Sequence, residues 1–318
     1  MSFFETVAGQ IVLWLGGSFL LLNLLILVFF YPLIGYILYI AHLKKTSKKL
    51  WSRECSSKDP VMLSMFNEGL AWREAHKDCL TELHIKNEGL NLYAEFADLG
   101  YDRTVMMVSG RTEGMYYGYY FAPSYAAIGY NVMVIDQRAH GKSDGKYNTL
   151  GFEEHKDLLA WARLLHDEHR QQSIIFHGIC IGSANSLYAL LHKDCPDYIL
   201  GMTAEGMFPA FRESFANHMI EMHRKPEPML RFVDFWMRFL TGHSMSVGPI
   251  HRIGELKKPI LMLHSKEDAY SLPNRAEDLY ALCSSERKHL EWFEHGAHSM
   301  LRITDTPHYD SAIADFWK

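Results

Sequence analysis

The sequence is poor in the features that mark several large functional classes. Cysteine occurs five times in 318 residues (Cys55, Cys79, Cys180, Cys195 and Cys283), an odd number, widely spaced and without a C-x-x-C pair. That argues against a disulfide framework or a cysteine zinc cluster, and reduced cysteines suit a domain that faces the cytosol. Positive charge is not in excess: the net charge is −5 and the basic residues outside one short run are scattered, so nothing points to nucleic acid. No dinucleotide fingerprint is present. Gly141-Lys142-Ser143 ends like a phosphate loop, but a Walker A match needs glycine where Asp136 stands. His166 with His169, and His295 with His298, have spacings that could share a metal, yet each lacks a third ligand of the right kind. No cofactor and no metal is therefore expected. Internal repeats and low-complexity tracts are also missing.

Charge is missing altogether from Thr6 to Leu43, where no Asp, Glu, Lys or Arg appears. At ~1.5 Å per residue, about 20 residues cross a ~30 Å hydrocarbon core, so residues 11–31 suffice for a span. The stretch after Pro32 must then tilt, kink or lie at the interface, with Pro32 as the natural kink. A cleaved signal peptide fits less well, because the start carries Glu5 instead of Lys or Arg, the apolar run is too long, and no small-residue cleavage site follows. Lys44, Lys45, Lys48, Lys49 and Arg53 all lie after the run, which predicts a single-pass protein with its main domain facing the cytoplasm. The expected organisation is an anchor over 1–43, a basic juxtamembrane linker over 44–60 and a globular domain over 61–318. The linker lysines serve either as a topology signal alone or also as contacts to anionic head groups.

What is present in the rest is a globular balance, 48% apolar and 22% charged, arranged as short β-rich runs alternating with helical stretches. Residues 80–86 and 90–97 flank Asn87-Glu88-Gly89, a hairpin with a turn signal. Runs at 104–108, 132–135, 173–176, 198–202, 259–263 and 289–293 have the length and β-branched content of strands buried on both faces. Helices are expected over 61–76, 152–165 and 183–191. An antiparallel opening pair followed by βα alternation predicts an eight-stranded, mostly parallel sheet with helices on both faces. About fifty residues, 204–253, separate the sixth and seventh strands, which reads as a helical lid. Its Met207, Phe208, Phe211, Phe215, Met219, Met222, Met229, Phe232, Phe235, Trp236, Met237 and Phe239 either form an apolar pocket for an acyl chain or are the lid's own packing. Met115 to Tyr120 likewise line the site mouth or pack a helix.

One segment carries chemistry. Ile174-Ile175-Phe176-His177 runs into Gly178-Ile179-Cys180-Ile181-Gly182-Ser183 and then a helical stretch, the nucleophile-elbow pattern with Cys in place of Ser. The strained turn brings two backbones close, so it needs small residues two before and two after the nucleophile, which Gly178 and Gly182 provide. A thiol at a helix N-terminus beside an imidazolium is activated. Ser183 and Ser186 are weaker nucleophile candidates, since neither has glycine two positions before it. The acid and base should follow downstream, in that order. Asp268 lies in the loop after the seventh strand, with Glu267 as alternative. His298 lies in the loop after the eighth, with His295 as alternative, and Gly296 supplies the turn that aims His298. Both loops sit at the carboxyl edge of the sheet, where βα enzymes keep their sites. The oxyanion should meet the backbone N–H groups of Ile181 and Arg111; the Arg111 side chain either meets an anionic substrate or is solvated.

These residues together resemble the α/β-hydrolase superfamily, in particular its monoacylglycerol-lipase-like and serine-aminopeptidase-like branch, over residue 61 to the end. Asp136-Gln137-Arg138-Ala139-His140-Gly141-Lys142-Ser143 resembles the D-x-R-G-x-G-x-S loop that follows the fourth strand in that branch. The sequence departs from the pattern at Ser109 for His, Ala139 for Gly, Ser183 for Gly and, above all, Cys180 for Ser. Cysteine there resembles dienelactone hydrolases. The resemblance implies an α/β-hydrolase fold and a Cys180-His298-Asp268 triad, but the substrate does not carry over with it; a small-molecule or lipid acyl substrate is expected from the chemistry of the thiol. A thiolate leaves a tetrahedral adduct more readily than an alkoxide, so thioesters and activated lactones suit a cysteine best. The expected reaction is acyl transfer to water through an S-acyl-Cys180 intermediate. An acyltransferase with the same triad and a noncatalytic membrane-tethered binding module are the competing readings.

Overall fold

A computed structural model of the chain describes residues 5–45, 51–55, 57–111 and 113–318; the expected head-group contacts of Lys48 and Lys49 lie outside the described residues. The eight expected strands form: β1 (Leu80–Asn87), β2 (Leu90–Ala97), β3 (Arg103–Val108), β4 (Asn131–Asp136), β5 (Ser173–Ile179), β6 (Ile199–Glu205), β7 (Ile260–Ser265) and β8 (Lys288–Phe293). They make one sheet in the order β1-β2-β4-β3-β5-β6-β7-β8. The β1–β2 and β2–β4 pairs are antiparallel and all others parallel. Glu88 and Gly89 both take positive φ, 46° and 82°, which suits a two-residue turn whose twist matches the strands it joins.

The period-2 alternation of the strands sorts side chains onto two faces. In β3, Met106 and Val108 pack with α5 (Glu154–Asp167), α6 (Ile181–Leu190) and α9 (Pro273–Leu282), through Trp161, Leu187 and Leu279. Val105 and Met107 face α3 (Pro60–Ala75), α4 (Ala122–Ala126), α10 (Leu301–Thr304) and α11 (Thr306–Trp317), through Phe66, Tyr125, Leu301 and Ile313. Met115–Phe121 is a short 3-10 helix buried in this second core, so its aromatic run packs against α3 instead of opening onto solvent.

The apolar N-terminal segment is a helix long and apolar enough to cross a membrane, Val7–Leu43, with a mean hydropathy of 2.5 over an 18-residue stretch. It consists of α1 (Val7–Leu25), a π turn over Ile26–Phe30 and α2 (Tyr31–Leu43). The π turn precedes Pro32. Pro32 has no N–H for the carbonyl four residues back, and the Tyr31 N–H reaches the Ile26 oxygen instead.

α2 does not stay apart from the domain. It packs against the insertion between β6 and β7, which carries α7 (Phe211–Glu221) and α8 (Met229–Thr241). Tyr39 and Leu43 are fully buried in a third core with Phe211, Phe215, Val233 and Met237. Gly35 makes this approach feasible, since a Cβ there would run into Phe232. The insertion begins later than the expected residue 204, because Ala204 and Glu205 remain in β6, paired with Met262 and Leu263 of β7.

Candidate active site

β5 runs into α6 through a single residue, Cys180, held at φ 52° and ψ −111°. A side chain bearing a Cβ rarely adopts this conformation, and its persistence needs surrounding bonds that over-determine it. The Cys180 N–H donates to the Glu205 carbonyl at 2.9 Å, and the Ser183 N–H donates to the Cys180 carbonyl at 3.1 Å. The two glycines have the steric role expected of them: a Cβ on Gly178 would collide with the Gly182 carbonyl, and one on Gly182 with that of Val108. The rival hydroxyls are committed to the backbone, Ser183 Oγ donating to Gly178 O at 2.7 Å and Ser186 Oγ to Gly182 O at 2.8 Å.

Asp268 and His298, thirty positions apart, meet at the carboxyl edge of the sheet with Nδ1 and Oδ2 2.7 Å apart. The other carboxylate oxygen, Oδ1, accepts N–H bonds from Tyr270 at 2.9 Å and Ser271 at 2.8 Å, which fixes its orientation. Burial pushes the Asp268 pKa up, but the charge and hydrogen bond of His298 outweigh it and hold the carboxyl below its ordinary value. Burial pulls the His298 pKa down. The Asp268 carboxylate, and then the adjacent Cys180 sulfur, raise it well above the ordinary 6.5. His298 Nε2 has no hydrogen bond of regular geometry among the described residues, and the thiol that perturbs it is Cys180. The alternatives lie elsewhere: Glu267 and His295 pair with each other at 3.0 Å on the surface, their side chains 56% and 77% exposed.

Cys180 and His298 line a cavity of about 210 Å³. Ile181 opens α6 directly after Cys180, at a position where the N–H has no intrahelical acceptor. Arg111 stands across the cavity. It lines the cavity while half-buried, and burial lowers its guanidinium pKa against the opposing effects of Cys180, Glu113 and Tyr270. Of the insertion's large apolar residues, Phe211 and Phe215 reach the cavity, whereas Phe208, Met219 and Met237 are absorbed in the core with α2. Ser214, His218, Tyr270 and Ser299 place polar groups in a wall that is apolar over most of its area, with Met62 and Met300 also lining it.

Three participants were not visible in the sequence. Glu113 lines the cavity and accepts the Gly110 N–H at 2.7 Å; burial, opposed by that bond and by His298, lifts its pKa to about 7. Gly206, at φ 58°, leaves room for the imidazole, since a Cβ there would stand 3.0 Å from His298 Cε1. Glu205 accepts Cys180 through its carbonyl and the Tyr309 hydroxyl, at 2.6 Å, through its carboxylate. A glycine directly after a buried strand and an acidic residue at its end were the available signals for the last two; Glu113 offered none.

A mostly parallel eight-stranded sheet with a strained residue between strand and helix at its carboxyl edge, and an acid–histidine pair on the two following loops, is the architecture of an α/β-hydrolase. A sequence profile of the alpha/beta hydrolase fold matches residues 103–239. The uncharacterized protein YqkD of Bacillus subtilis is 30% identical over 217 residues, 67% of this chain and 70% of that protein. Among solved structures, an esterase from Pyrococcus furiosus superposes with a TM-score of 0.63 at 23% identity, over 76% of this chain and 92% of the esterase. Mouse alpha/beta hydrolase domain-containing protein 10 does so with a TM-score of 0.54 at 14% identity, over 74% and 96%. The chain belongs to the α/β-hydrolase superfamily, as a hydrolase-type member.

Proposed function

We propose that the protein is a membrane-anchored acyl hydrolase that cleaves a thioester or ester with Cys180 as nucleophile, His298 as general base and acid, and Asp268 as the group that orients and charges the imidazole. The observation that carries this reading is the pairing of His298 Nδ1 with Asp268 at 2.7 Å, which leaves Nε2 uncommitted in the cavity that Cys180 also lines. In the first step the Cys180 proton passes to Nε2 and Sγ forms a bond to the acyl carbon, whose carbonyl electron pair moves to oxygen. The N–H groups of Ile181 and Arg111 receive that oxyanion. Collapse breaks the bond to the leaving group, which takes the proton from Nε2. Water then loses a proton to Nε2 and attacks the S-acyl carbon. The C–S bond breaks, the acid departs and the thiol recovers its proton.

α1 is the span in this reading and the segment after Leu43, with Lys44 and Lys45, faces the cytoplasm. The insertion over the site, roughly residues 206–253, acts as the lid, and α2 belongs with it. The test is intact mass spectrometry of the full chain in detergent, incubated with acyl thioesters, esters and lactones. The reading expects an acyl increment on the Cys180 peptide and loss of turnover in Cys180→Ala. Full turnover by Cys180→Ala on a responsive substrate would refute it; neither adduct nor turnover across the panel would favour a binding module.

A further inference from the structure

We propose that α8 is a second membrane contact, lying in the interface of the bilayer that α1 crosses, with Phe235 and Phe239 among the upper acyl chains. The proposal rests on the reading of α1 as a span. Glu5 must stay outside the hydrocarbon, so a span that starts near Val7 and needs about 20 residues ends close to the π turn at Ile26–Phe30. Pro32 therefore stands within about one helical turn of the interface. At that level α8 is fastened to the helix: Trp236 Nε1 donates to the Pro32 carbonyl at 2.8 Å, Tyr31 stacks on Phe232 at 5.9 Å, and Tyr36 meets Trp236 at 4.9 Å. A helix tied to a span at its exit cannot lie far from the head groups.

The outward side of this helix pair has the character of an interfacial surface. Phe235 is 52% and Phe239 70% exposed on α8, and Leu33 and Ile37 are 56% and 51% exposed on α2. Arg231 and Arg238 border the aromatic stripe with outward-reaching side chains held by Glu227 and Asp234, at the depth where long cationic side chains extend to head groups. In water such a stripe is a solubility liability; at an interface it is a binding surface. The inner side of α8, through Val233 and Met237, shares a core with Phe211 and Phe215, two walls of the catalytic cavity. Seating α8 in the bilayer thus brings the cavity wall to the membrane surface and lets a lipid-borne acyl group arrive without crossing bulk water.

The test reconstitutes the full chain in phosphatidylcholine–phosphatidylglycerol vesicles that carry a phospholipid with a diazirine on its upper acyl chain. After irradiation, lipid adducts are mapped by peptide mass spectrometry. Adducts are expected on α1 and on the α8 peptide containing Phe235 and Phe239. They should be absent from Leu200 and Leu282, exposed apolar residues on other elements, and lost from α8 in Phe235→Ser/Phe239→Ser, whose changes lie on the surface and leave the cores intact. Adducts on α1 with none on α8, or α8 adducts that survive the double substitution, overturn the proposal and leave the span reading standing. An unlabelled α1 overturns both.

Discussion

Glu113→Gln separates the charge of the carboxylate from its hydrogen bond, because the amide oxygen can still accept the Gly110 N–H that Glu113 accepts at 2.7 Å. Burial raises the Glu113 pKa from 4.5 to about 7 against the opposing effects of Gly110, His298 and Arg111, with Glu205 adding to the rise. Between those values the folded protein holds a proton that the unfolded chain has released. The stabilisation of the protonated form is thus fully present below about pH 4.5 and lost as pH rises through about 7. At ~1.4 kcal/mol per pKa unit the loss amounts to about 3 kcal/mol, a large part of the stability of a typical domain. Glutamine does not titrate, so the difference in unfolding free energy, variant minus wild type, should grow by about that amount from pH 4.5 to 7.5. Groups such as His298, whose folded pKa is also raised, titrate in both proteins and cancel to first order. The assay is chemical denaturation of both full chains in a nonionic detergent at several pH values. Parallel stability curves across this window would show that Glu113 does not carry a buried charge at neutral pH, and the electrostatic description of the cavity would be wrong.

Asp268→Asn removes the carboxylate that orients the His298 imidazole, fixes its tautomer and stabilises the imidazolium formed in the reaction, and turnover should fall by about 10³–10⁴-fold with the fold unchanged by circular dichroism; a fall below tenfold would remove Asp268 from the proposed triad. Ala139 sits at φ 63° in the loop after β4, so Ala139→Gly should raise stability by about 0.5–1 kcal/mol in the same denaturation assay, and a destabilised variant would contradict the backbone assignment. Removing residues 1–43 should do more than release the protein from membranes, because Tyr39 and Leu43 are fully buried against α7 and α8. The truncated chain is expected to gain protease cleavage within the insertion, and an insertion as resistant as in the full chain would refute the packing role of α2.

The order of the strands could be read directly from the sequence, since a run such as Ile174-Ile175-Phe176 is buried on both faces and advertises itself by composition. The ends of β5 and β6 could not. His177, Thr203 and Glu205 look like loop residues, yet all three are fully buried. They are satisfied by partners far along the chain: Tyr125 Oη to His177 at 2.8 Å and to Thr203 at 3.0 Å, and Tyr309 Oη to Glu205 at 2.6 Å. No local pattern encodes such partners. The candidate triad was legible because elbow glycines and strand-end loops leave local signatures. The Glu113 contact with Gly110 arises only from how its loop turns back.

The N-terminal helix gives the opposite lesson. Residues 6–43 are uncharged and mostly apolar, and apolarity alone does not distinguish a side chain that faces lipid from one that faces protein, because both surroundings are hydrocarbon-like. What divides the helix is the pair Pro32 and Gly35: the first interrupts the hydrogen-bond ladder, and the second lets Phe232 approach the backbone. Beyond that point the helix supplies core to the insertion, leaving most of the insertion's apolar side chains engaged with α2 and only Phe211 and Phe215 at the cavity. The expectation of a broad acyl-binding lid is thereby narrowed. The wall beside Cys180 is small, apolar over most of its area and set with a few polar groups, and the large exposed apolar surfaces lie outside it, on α2 and α8.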